Sequence, residues 1–299
     1  MSYEPRYCYR HPDRETGLSC SECGRPICYE CMTPAPVGIR CPEHSGKAQG
    51  VQRVTRAASR TTTGFGSRRV NAVTMALIGL NVFVYLAELA FGGTASGTDN
   101  WIYNHGALFA NGAYDGSNIL VGPVHAAIPP GLTAAGVTHG EWWRLITSAF
   151  LHYGPLHLGM NMLSLYFVGS ILEHVIGRWR YVLLYFVAGV AGAAGALLKT
   201  PNSPTVGASG AIFGVLGALF ILERRGVIAT GGQVLGLIVL NLVFTFAIPG
   251  ISIGGHLGGL TAGLLLMLAF ARFPRSWQLS AAAAAVVAAA ALIVAYSSV

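Results

Sequence analysis

The chain has 299 residues, of which 53% are hydrophobic and only 10% are charged, and its mean hydropathy is +0.54. Soluble domains carry about 25% charged residues, so this composition excludes an ordinary soluble protein and indicates a membrane protein. Within residues 1–70 lie 11 of the 19 Lys and Arg residues and all six cysteines. We therefore expect a small cysteine-rich head, a basic linker and a long apolar body.

The head, residues 1–45, contains four pairs of candidate metal ligands, and the two members of each pair are separated by two residues. The pairs are Cys8 and His11, Cys20 and Cys23, Cys28 and Cys31, and Cys41 and His44. Eight ligands suit two tetrahedral zinc ions, and this gap lets both members of a pair reach one ion. Three disulfides are the alternative, but they leave the histidine spacing unexplained and require an oxidising compartment. The pattern favours zinc.

The order of these pairs resembles the B-box type of cross-braced zinc finger. That resemblance implies that the first and third pairs share one ion and that the second and fourth pairs share the other. All eight ligands are then used, so we expect two structural zinc ions and no cofactor for catalysis. The head has few apolar residues, so metal binding should supply much of its folding free energy. We expect it to be regulatory or to bind a protein partner.

Residues 46–69 carry six basic residues among Gly, Ser and Thr. We interpret this segment as a flexible linker whose charges fix membrane orientation or touch anionic lipid, which we favour over a nucleic-acid-binding arm. The first 69 residues lack the apolar core of a cleavable signal peptide, so we expect the first membrane span to direct insertion.

Seven apolar stretches of membrane-spanning length follow. They cover residues 70–91, 146–170, 180–198, 207–222, 232–248, 254–271 and 279–297. An aromatic insert at 92–144 separates the first two and suits a membrane interface. If the N-terminus is cytoplasmic, 17 of the 19 basic residues lie inside and only Arg144 and Lys199 lie outside. The positive-inside rule therefore predicts a cytoplasmic N-terminus and an outside C-terminus.

Four polar residues fall at one depth in this topology. Ser209 lies 15 residues, and His256 and His157 each lie 16 residues, before the charged residue that ends their span. This spacing places them roughly 22 to 24 Å from the cytoplasmic end, and Asn161 lies one turn from His157 on the same face. Each residue alone is compatible with a harmless hydrogen bond in a helix. The shared depth favours a common site.

Small residues should bring two of these spans together. Gly207, Gly210, Gly214 and Gly217 in the fourth span, and Gly255, Gly259 and Gly263 in the sixth, form faces that permit close backbone approach. Ser209 would then lie within reach of His256, which can act as its base, while His157 and Asn161 can donate to an oxyanion. The residues indicate acyl transfer by a serine–histidine dyad.

The body resembles the rhomboid intramembrane serine proteases over residues 70–272. The matching stretches are EWWR at 141–144, LHYGPLHLGMN at 151–161, GASG at 207–210 and GHLGGLTAG at 255–263. The resemblance implies an all-α polytopic membrane protein with a six-helix core. The last span, in residues 273–299, is then an additional C-terminal helix.

The resemblance also implies residue roles. Ser209 is the nucleophile and His256 the general base, while His157, Asn161 and the backbone N–H of Ser209 form the oxyanion hole. His152 is a structural histidine, and Trp143 with Arg144 braces the insert. Gly207, Gly210, Gly259 and Gly263 belong to the same motifs. Phe213 stands where many relatives carry a tyrosine whose ring packs on the catalytic histidine.

The expected function is cleavage of single-pass membrane proteins in or beside their transmembrane segment, at the plasma membrane of a prokaryote. The expected partners are these substrates and the lipid bilayer, with no nucleic acid. The fifth span, whose notable polar residues are Gln233, Asn241 and Thr245, and the turn at 249–253 are expected to form a lateral gate. The alternative is an inactive rhomboid-like protein that binds membrane clients. A transporter is disfavoured, because paired repeats are not evident.

Overall fold

The computed structural model describes residues 5–35, 38–45, 71–91, 100–114, 119–121 and 131–299. The chain divides into two compact units, Met1–Arg69 and Val70–Val299. The predicted linker at 46–69 and parts of the 92–144 insert lie outside the described residues.

The first unit consists of two short hairpins around a sulfur-rich centre. Strand β1 (Tyr7–Cys8) pairs antiparallel with β2 (His11–Glu15), and β3 (Thr33–Pro34) pairs antiparallel with β4 (Ile39–Arg40). Ile27 and five cysteines form the buried cluster of the unit. Cysteine sulfur therefore occupies the positions that aliphatic side chains fill in an ordinary core.

The second unit is a helical bundle. Its helices are α1 (Ala72–Ala90), α2 (Trp101–Gly106), α3 (Arg144–Thr147), α4 (Gly154–Ile176), α5 (Arg178–Lys199), α6 (Ser209–Arg224), α7 (Gln233–Ala247), α8 (Ile253–Arg272) and α9 (Trp277–Ser297). Five of them, α1, α4, α5, α8 and α9, are long and apolar enough to cross a membrane. The predicted integral membrane protein is confirmed. The 16 residues of α6 and the 15 of α7 make shorter helices.

The second predicted span begins later and ends later than the sequence indicated. Residues 144–150 form α3 and a 3-10 turn, whereas α4 starts at Gly154 and continues to Ile176 through a π-helical turn at Leu165–Gly169. Gly154 has a φ of +78°, and Pro155 in the first turn suits a helix start. The predicted start at residue 146 was wrong, because a buried apolar loop has the same composition as a span.

The insert contains small structures that its composition did not predict. Beyond α2, the strands β5 (Gly112–Tyr114), β6 (Ile119–Val121) and β7 (Thr133–Ala135) form an antiparallel sheet in the order β6-β5-β7. Three-residue strands are too short to show a clear alternation of polar and apolar residues. In the described part of the insert no helix is long and apolar enough to cross a membrane.

Helix α6 is the centre of the bundle and packs against α5 and α8. Its glycines bring backbone against backbone: an added Cβ on Gly259 would collide with the carbonyl oxygen of Gly210, and one on Gly263 with that of Gly214. The predicted glycine faces of the fourth and sixth spans therefore meet. On the other side of α8, Gly254 makes an equally close approach to Gly195 of α5, which the sequence analysis did not identify.

A buried carboxylate joins α1 to α4. The carboxylate of Glu173 accepts hydrogen bonds from the backbone N–H groups of Val73 and Thr74, at 3.1 and 2.8 Å, and from the Thr74 hydroxyl at 2.8 Å. These N–H groups belong to the first turn of α1, where they lack acceptors within the helix. The positive end of the helix dipole also stabilises a negative charge at this position. Asn71 makes no side-chain cap there, so Glu173 supplies the cap of α1.

The predicted seventh helix, α9, is present and packs mainly against α5. Its buried residues are Ser280, Ala284, Ala291 and Ala295. Arg180 of α5 donates hydrogen bonds to the Ser280 hydroxyl at 3.2 Å and to the Pro274 carbonyl at 2.8 Å. Small side chains and this arginine hold α9 against the bundle.

Replacing Gly259 by alanine tests the backbone contact between α6 and α8. The added methyl would overlap the Gly210 carbonyl, and overpacking of this kind typically costs about 1–3 kcal/mol. We expect a lower apparent melting temperature in detergent. The control is Gly79→Ala in α1, where a Cβ meets nothing within 4 Å and alanine is the better helix former. Equal stability of both variants would contradict the contact.

Candidate active site

Ser209 is the first residue of α6, at the end of a loop held in place by backbone hydrogen bonds. Leu108 and Thr205 exchange two such bonds, at 3.0 and 2.8 Å, and the N–H of Gly207 donates to the Ser148 carbonyl at 2.9 Å. The backbone N–H of Ser209 is in the first turn and has no intrahelical acceptor. The loop therefore presents, at the start of the buried helix, a hydroxyl and an N–H that has no acceptor within the helix.

His256 of α8 reaches Ser209 directly. Its Nε2 lies 2.8 Å from Ser209 Oγ, which is hydrogen-bonding distance. The ring of Phe213, which follows Ser209 by one helical turn in α6, stacks on the imidazole with centroids 4.1 Å apart and planes 20° from parallel. The structure thus brings together the predicted nucleophile and base. It also shows that phenylalanine retains the ring packing expected of tyrosine at this position.

Thr245 of α7 contacts the other nitrogen of the same imidazole. Its Oγ1 lies 2.6 Å from His256 Nδ1 and 2.7 Å from the carbonyl oxygen of Asn241, to which its hydroxyl donates. The sequence analysis identified Thr245 only as one of the few polar residues in its span. A contact between two spans that lack a shared motif cannot be predicted from residue spacing.

His157 and Asn161 of α4 lie beside the loop that carries Ser209. The backbone N–H of Tyr153 donates to His157 Nδ1 at 3.2 Å, so the proton of the neutral ring is on Nε2. A Cβ built on Gly207 would lie 2.9 Å from His157 Nε2 and 3.6 Å from Asn161 Nδ2. In the described part of the chain Asn161 Nδ2 has no hydrogen-bond partner. Two N–H donors therefore face the space next to Gly207, two residues before Ser209.

Gly207 cannot be replaced without disturbing these donors. Its φ is +124°, which an L-residue rarely adopts, and a side chain would strike the His157 ring at 2.7 Å. The glycine of the GASG motif thus makes room for the two donors.

His152 is fully buried, and its ring lies edge-on to that of His157 with centroids 5.1 Å apart. Neither of its ring nitrogens has a hydrogen-bond partner among the residues with described coordinates. Its contact with His157 is therefore one of ring packing.

Arg144 is fully buried and ties the insert to the bundle. Its guanidinium donates to Glu141 at 2.7 Å and to the carbonyls of Asn104 and Ala107 at 3.0 and 2.6 Å. It also lies over the ring of Phe109 at 4.3 Å. Trp143 Nε1 donates to the carbonyl of His105 at 3.0 Å. These contacts brace the 101–109 segment, in which Leu108 pairs with the loop that carries Ser209.

The eight cysteine and histidine residues of the head form two groups. One contains Cys8, His11, Cys28 and Cys31, and the other contains Cys20, Cys23, Cys41 and His44. Within each group the ligand atoms all lie within 4.8 Å of one another. The first and third pairs are together, as are the second and fourth, which is the cross-braced order that the resemblance implied. Each group can hold a metal ion.

The separations within these groups fit tetrahedral zinc. Zn–S bonds of about 2.3 Å and Zn–N bonds of about 2.0 Å give S···S edges of about 3.8 Å and S···N edges of about 3.5 Å. His11 Nδ1 lies 3.8, 3.3 and 3.4 Å from the sulfur atoms of Cys8, Cys28 and Cys31. In the second group the Cys23 and Cys41 sulfur atoms are 3.8 Å apart, whereas His44 Nδ1 lies 3.1 Å from the Cys41 sulfur, which is shorter than the tetrahedral edge.

Local hydrogen bonding favours the thiolate form of one cysteine in each group, Cys8 and Cys20. Burial opposes ionisation of Cys8, but the backbone N–H groups of Arg10 and Cys28 outweigh it and lower the pKa of its thiol to about 6. Burial likewise opposes ionisation of Cys20, whose pKa nevertheless falls to about 6 because backbone N–H groups, including that of Cys41, point at its sulfur. The thiolate is the form that binds metal.

These features define a polytopic membrane protein with a serine and a histidine in hydrogen-bonding contact inside its helix bundle. The family model described as the Rhomboid domain matches residues 139–273. The putative rhomboid protease YdcA of Bacillus subtilis is 37% identical over 136 residues, which are 44% of this chain and 68% of that protein. The chain belongs to the rhomboid family.

Two further relatives bear on function. Rhomboid protease GluP of Bacillus subtilis is 41% identical over 137 residues, which cover 44% of this chain but only 27% of that protein. Inactive RHOMBOID-like protein 8 of Arabidopsis thaliana is 30% identical over 175 residues, which cover 56% of this chain and 50% of that protein. The relatives thus include proteins named as proteases as well as a protein named as inactive.

Replacing Arg144 by lysine tests its role as a brace. Lysine keeps the charge but cannot donate in the planar pattern that reaches Glu141 and the two carbonyls. We expect the apparent melting temperature to fall by about 5 °C or more, because each buried acceptor left without a donor costs about 1–3 kcal/mol. Arg178→Lys is the control, since its side chain is 61% exposed and lies 3.8 Å from Glu173. An equal effect of the two variants would contradict the assignment.

Proposed function

We propose that this protein is a serine endopeptidase that cleaves single-pass membrane proteins in or beside their transmembrane segment. The observation that carries the proposal is the 2.8 Å contact between Ser209 Oγ and His256 Nε2 in a family that includes named proteases. A serine hydroxyl needs an adjacent base to attack a peptide carbonyl, and this contact provides one.

The proposed reaction proceeds in two halves. Ser209 Oγ attacks the scissile carbonyl carbon while its proton passes to His256 Nε2. The resulting imidazolium then gives this proton to the leaving amine as the peptide C–N bond breaks, which leaves an acyl–enzyme ester. In the second half His256 takes a proton from water, the hydroxide attacks the ester, and Ser209 regains its proton as the carboxylic acid is released.

Three donors are proposed to stabilise the tetrahedral intermediates. His157 Nε2–H and Asn161 Nδ2–H face the space beside Gly207, and the backbone N–H of Ser209 is free at the start of α6. Such donors act strongly where water is scarce, and loss of a single one can slow catalysis about 100- to 1,000-fold.

The distribution of basic residues supports a cytoplasmic N-terminus. In that orientation Ser209 is near the outer membrane surface, where water for the second half-reaction is accessible. The prokaryotic plasma membrane stays a prediction, because the relatives include plant and fungal proteins as well as bacterial ones.

Substrate access is proposed to occur beside α7. Its three buried residues are Val234, Ile238 and Thr245, and the remainder of the 15-residue helix is partly or fully exposed. A helix with so little buried surface can be displaced at low cost. The predicted gate, formed by the fifth span and the turn that follows it, is thus compatible with the packing of α7.

Variants of the dyad test the proposed reaction. Ser209→Ala and His256→Ala should each reduce cleavage of a single-pass substrate in liposomes by about 1,000-fold or more, because members of a catalytic unit act together. Ser203→Ala in the same loop and His174→Ala on α4 are exposed controls and should retain activity. Product would be measured by mass spectrometry.

Cleavage by Ser209→Ala equal to that of the unaltered chain would refute the dyad. If the unaltered, folded chain binds membrane substrates but produces no cleavage under any lipid composition, the inactive client-binding function is favoured instead.

We further propose that the head binds two structural zinc ions. The tetrahedral spacing of the ligand atoms and the low pKa of Cys8 and Cys20 support this assignment. All eight ligands are engaged, so the ions have no open position for catalysis. A cytoplasmic head lies in a reducing compartment, where thiolates persist as metal ligands. The head is proposed to recruit a protein partner or to regulate the protease.

Metal content checks this proposal. The purified full chain should contain two zinc ions per molecule when measured by inductively coupled plasma mass spectrometry. Cys28→Ser and Cys23→Ser should each lose one zinc ion, because the two cysteines lie in different groups. Ser19→Ala is the control and should retain both. If Cys28→Ser retains two zinc ions, the assignment of that group fails.

A further inference from the structure

We propose that Thr245 is a positioning residue that holds the imidazole of His256 in the tautomer able to accept the Ser209 proton. This inference rests on the proposed function and assigns a third member to its proton path. Thr245 lies on α7, whereas the dyad comes from α6 and α8.

The hydrogen bonds of Thr245 fix the direction of each proton. A hydroxyl has one proton, and that of Thr245 points to the carbonyl oxygen of Asn241 at 2.7 Å, since a carbonyl can only accept. Its lone pair is then the group that faces His256 Nδ1 at 2.6 Å. The nitrogen must therefore carry a proton and donate it to Thr245.

A proton on Nδ1 leaves a lone pair on Nε2 of the neutral ring. That lone pair faces Ser209 Oγ at 2.8 Å, so the serine hydroxyl donates to it. The chain of donors runs from Ser209 through His256 and Thr245 to the carbonyl of Asn241. With the opposite tautomer, Nε2 would carry a proton and could not accept the one that Ser209 must lose.

Two contacts, from Phe213 and Thr245, orient the imidazole ring of His256. Stacking of Phe213 on His256 fixes the plane of the imidazole, but a stack of this kind does not distinguish the two nitrogen atoms. The Thr245 hydroxyl makes that distinction because it contacts Nδ1 alone. When His256 becomes positively charged during the reaction, the same bond becomes charge-assisted and strengthens.

Because Thr245 is buried, loss of its hydroxyl should be costly. Thr245 is 2% exposed, and His256 is 8% exposed. Water therefore has little access to replace the hydroxyl, and its loss would leave a buried N–H without an acceptor, which typically costs about 1–3 kcal/mol. Outward displacement of α7 would lengthen the same contact, so the position of α7 and the orientation of the base are linked.

The test compares two substitutions of Thr245 with a matched control. Thr245→Val preserves shape and removes the hydroxyl, and Thr245→Ser preserves the hydroxyl. Thr261→Val is the control, because Thr261 also donates to the carbonyl four residues earlier, that of Leu257 at 2.8 Å, but is exposed on α8. Each full-length variant is assayed in liposomes for kcat and KM with a transmembrane substrate, together with Ser209→Ala and His256→Ala.

A second measurement reports on the dyad without a protein substrate. A small fluorophosphonate reacts with a serine only when its hydroxyl is activated, and its attachment to Ser209 can be timed by mass spectrometry. Thr245→Val should lower kcat and the rate of this labelling by a similar factor, about 10- to 100-fold, as for other groups that orient a functional histidine. KM should change little. Thr245→Ser should restore both rates to within about 3-fold, and Thr261→Val should match the unaltered chain.

Two results would overturn the inference. One is unchanged kcat and labelling in Thr245→Val while Ser209→Ala and His256→Ala are inactive, in which case the proposed protease stands without Thr245. The other is a loss in Thr245→Val that Thr245→Ser does not restore, or that Thr261→Val shares, which indicates a role in packing. Retention of cleavage by Ser209→Ala would instead refute the proposed function itself.

Discussion

The site depends on the close backbone contact between α6 and α8. Polar groups inside an apolar bundle can meet only if the helices that carry them approach more closely than large side chains allow. Gly210 and Gly214 of α6 face Gly259 and Gly263 of α8 so closely that a single methyl group on α8 would overlap a carbonyl of α6. In lipid, where hydrophobic association between helices is weak, such packing supplies much of the attraction. Ser209 and His256 lie at one end of this contact, in the first turns of α6 and α8.

The loop before α6 determines the rest of the geometry. Its pairing with Leu108 and Ser148 places Ser209 at the first turn of the helix. Gly207, just before it, leaves room for the ring of His157 and the amide of Asn161. The insert and the loop that carries Ser209 are therefore joined by hydrogen bonds, and the buried Arg144 fixes the insert through the carbonyls of Asn104 and Ala107.

Buried polar groups in this protein fall into two classes. Glu173, Arg144 and Thr245 each have hydrogen-bond partners, as expected where water cannot satisfy them. In contrast, the amide nitrogen of Asn161 is buried and unsatisfied within the part of the chain that the structure describes. An unsatisfied donor beside a serine–histidine pair is what a site prepared for a developing negative charge requires.

The sequence by itself indicated an integral membrane protein with several apolar helices, the eight candidate metal ligands of the head, and the similar distances of Ser209, His256 and His157 from the ends of their spans. These follow from composition, spacing and charge, which act locally along the chain. Tertiary structure alone decided where α4 begins, how the insert folds, the contact of Gly195 with Gly254, and the bond between Thr245 and His256. Each of these depends on which surfaces meet across the bundle, and Thr245 resembles any other threonine in an apolar helix until its neighbour is known.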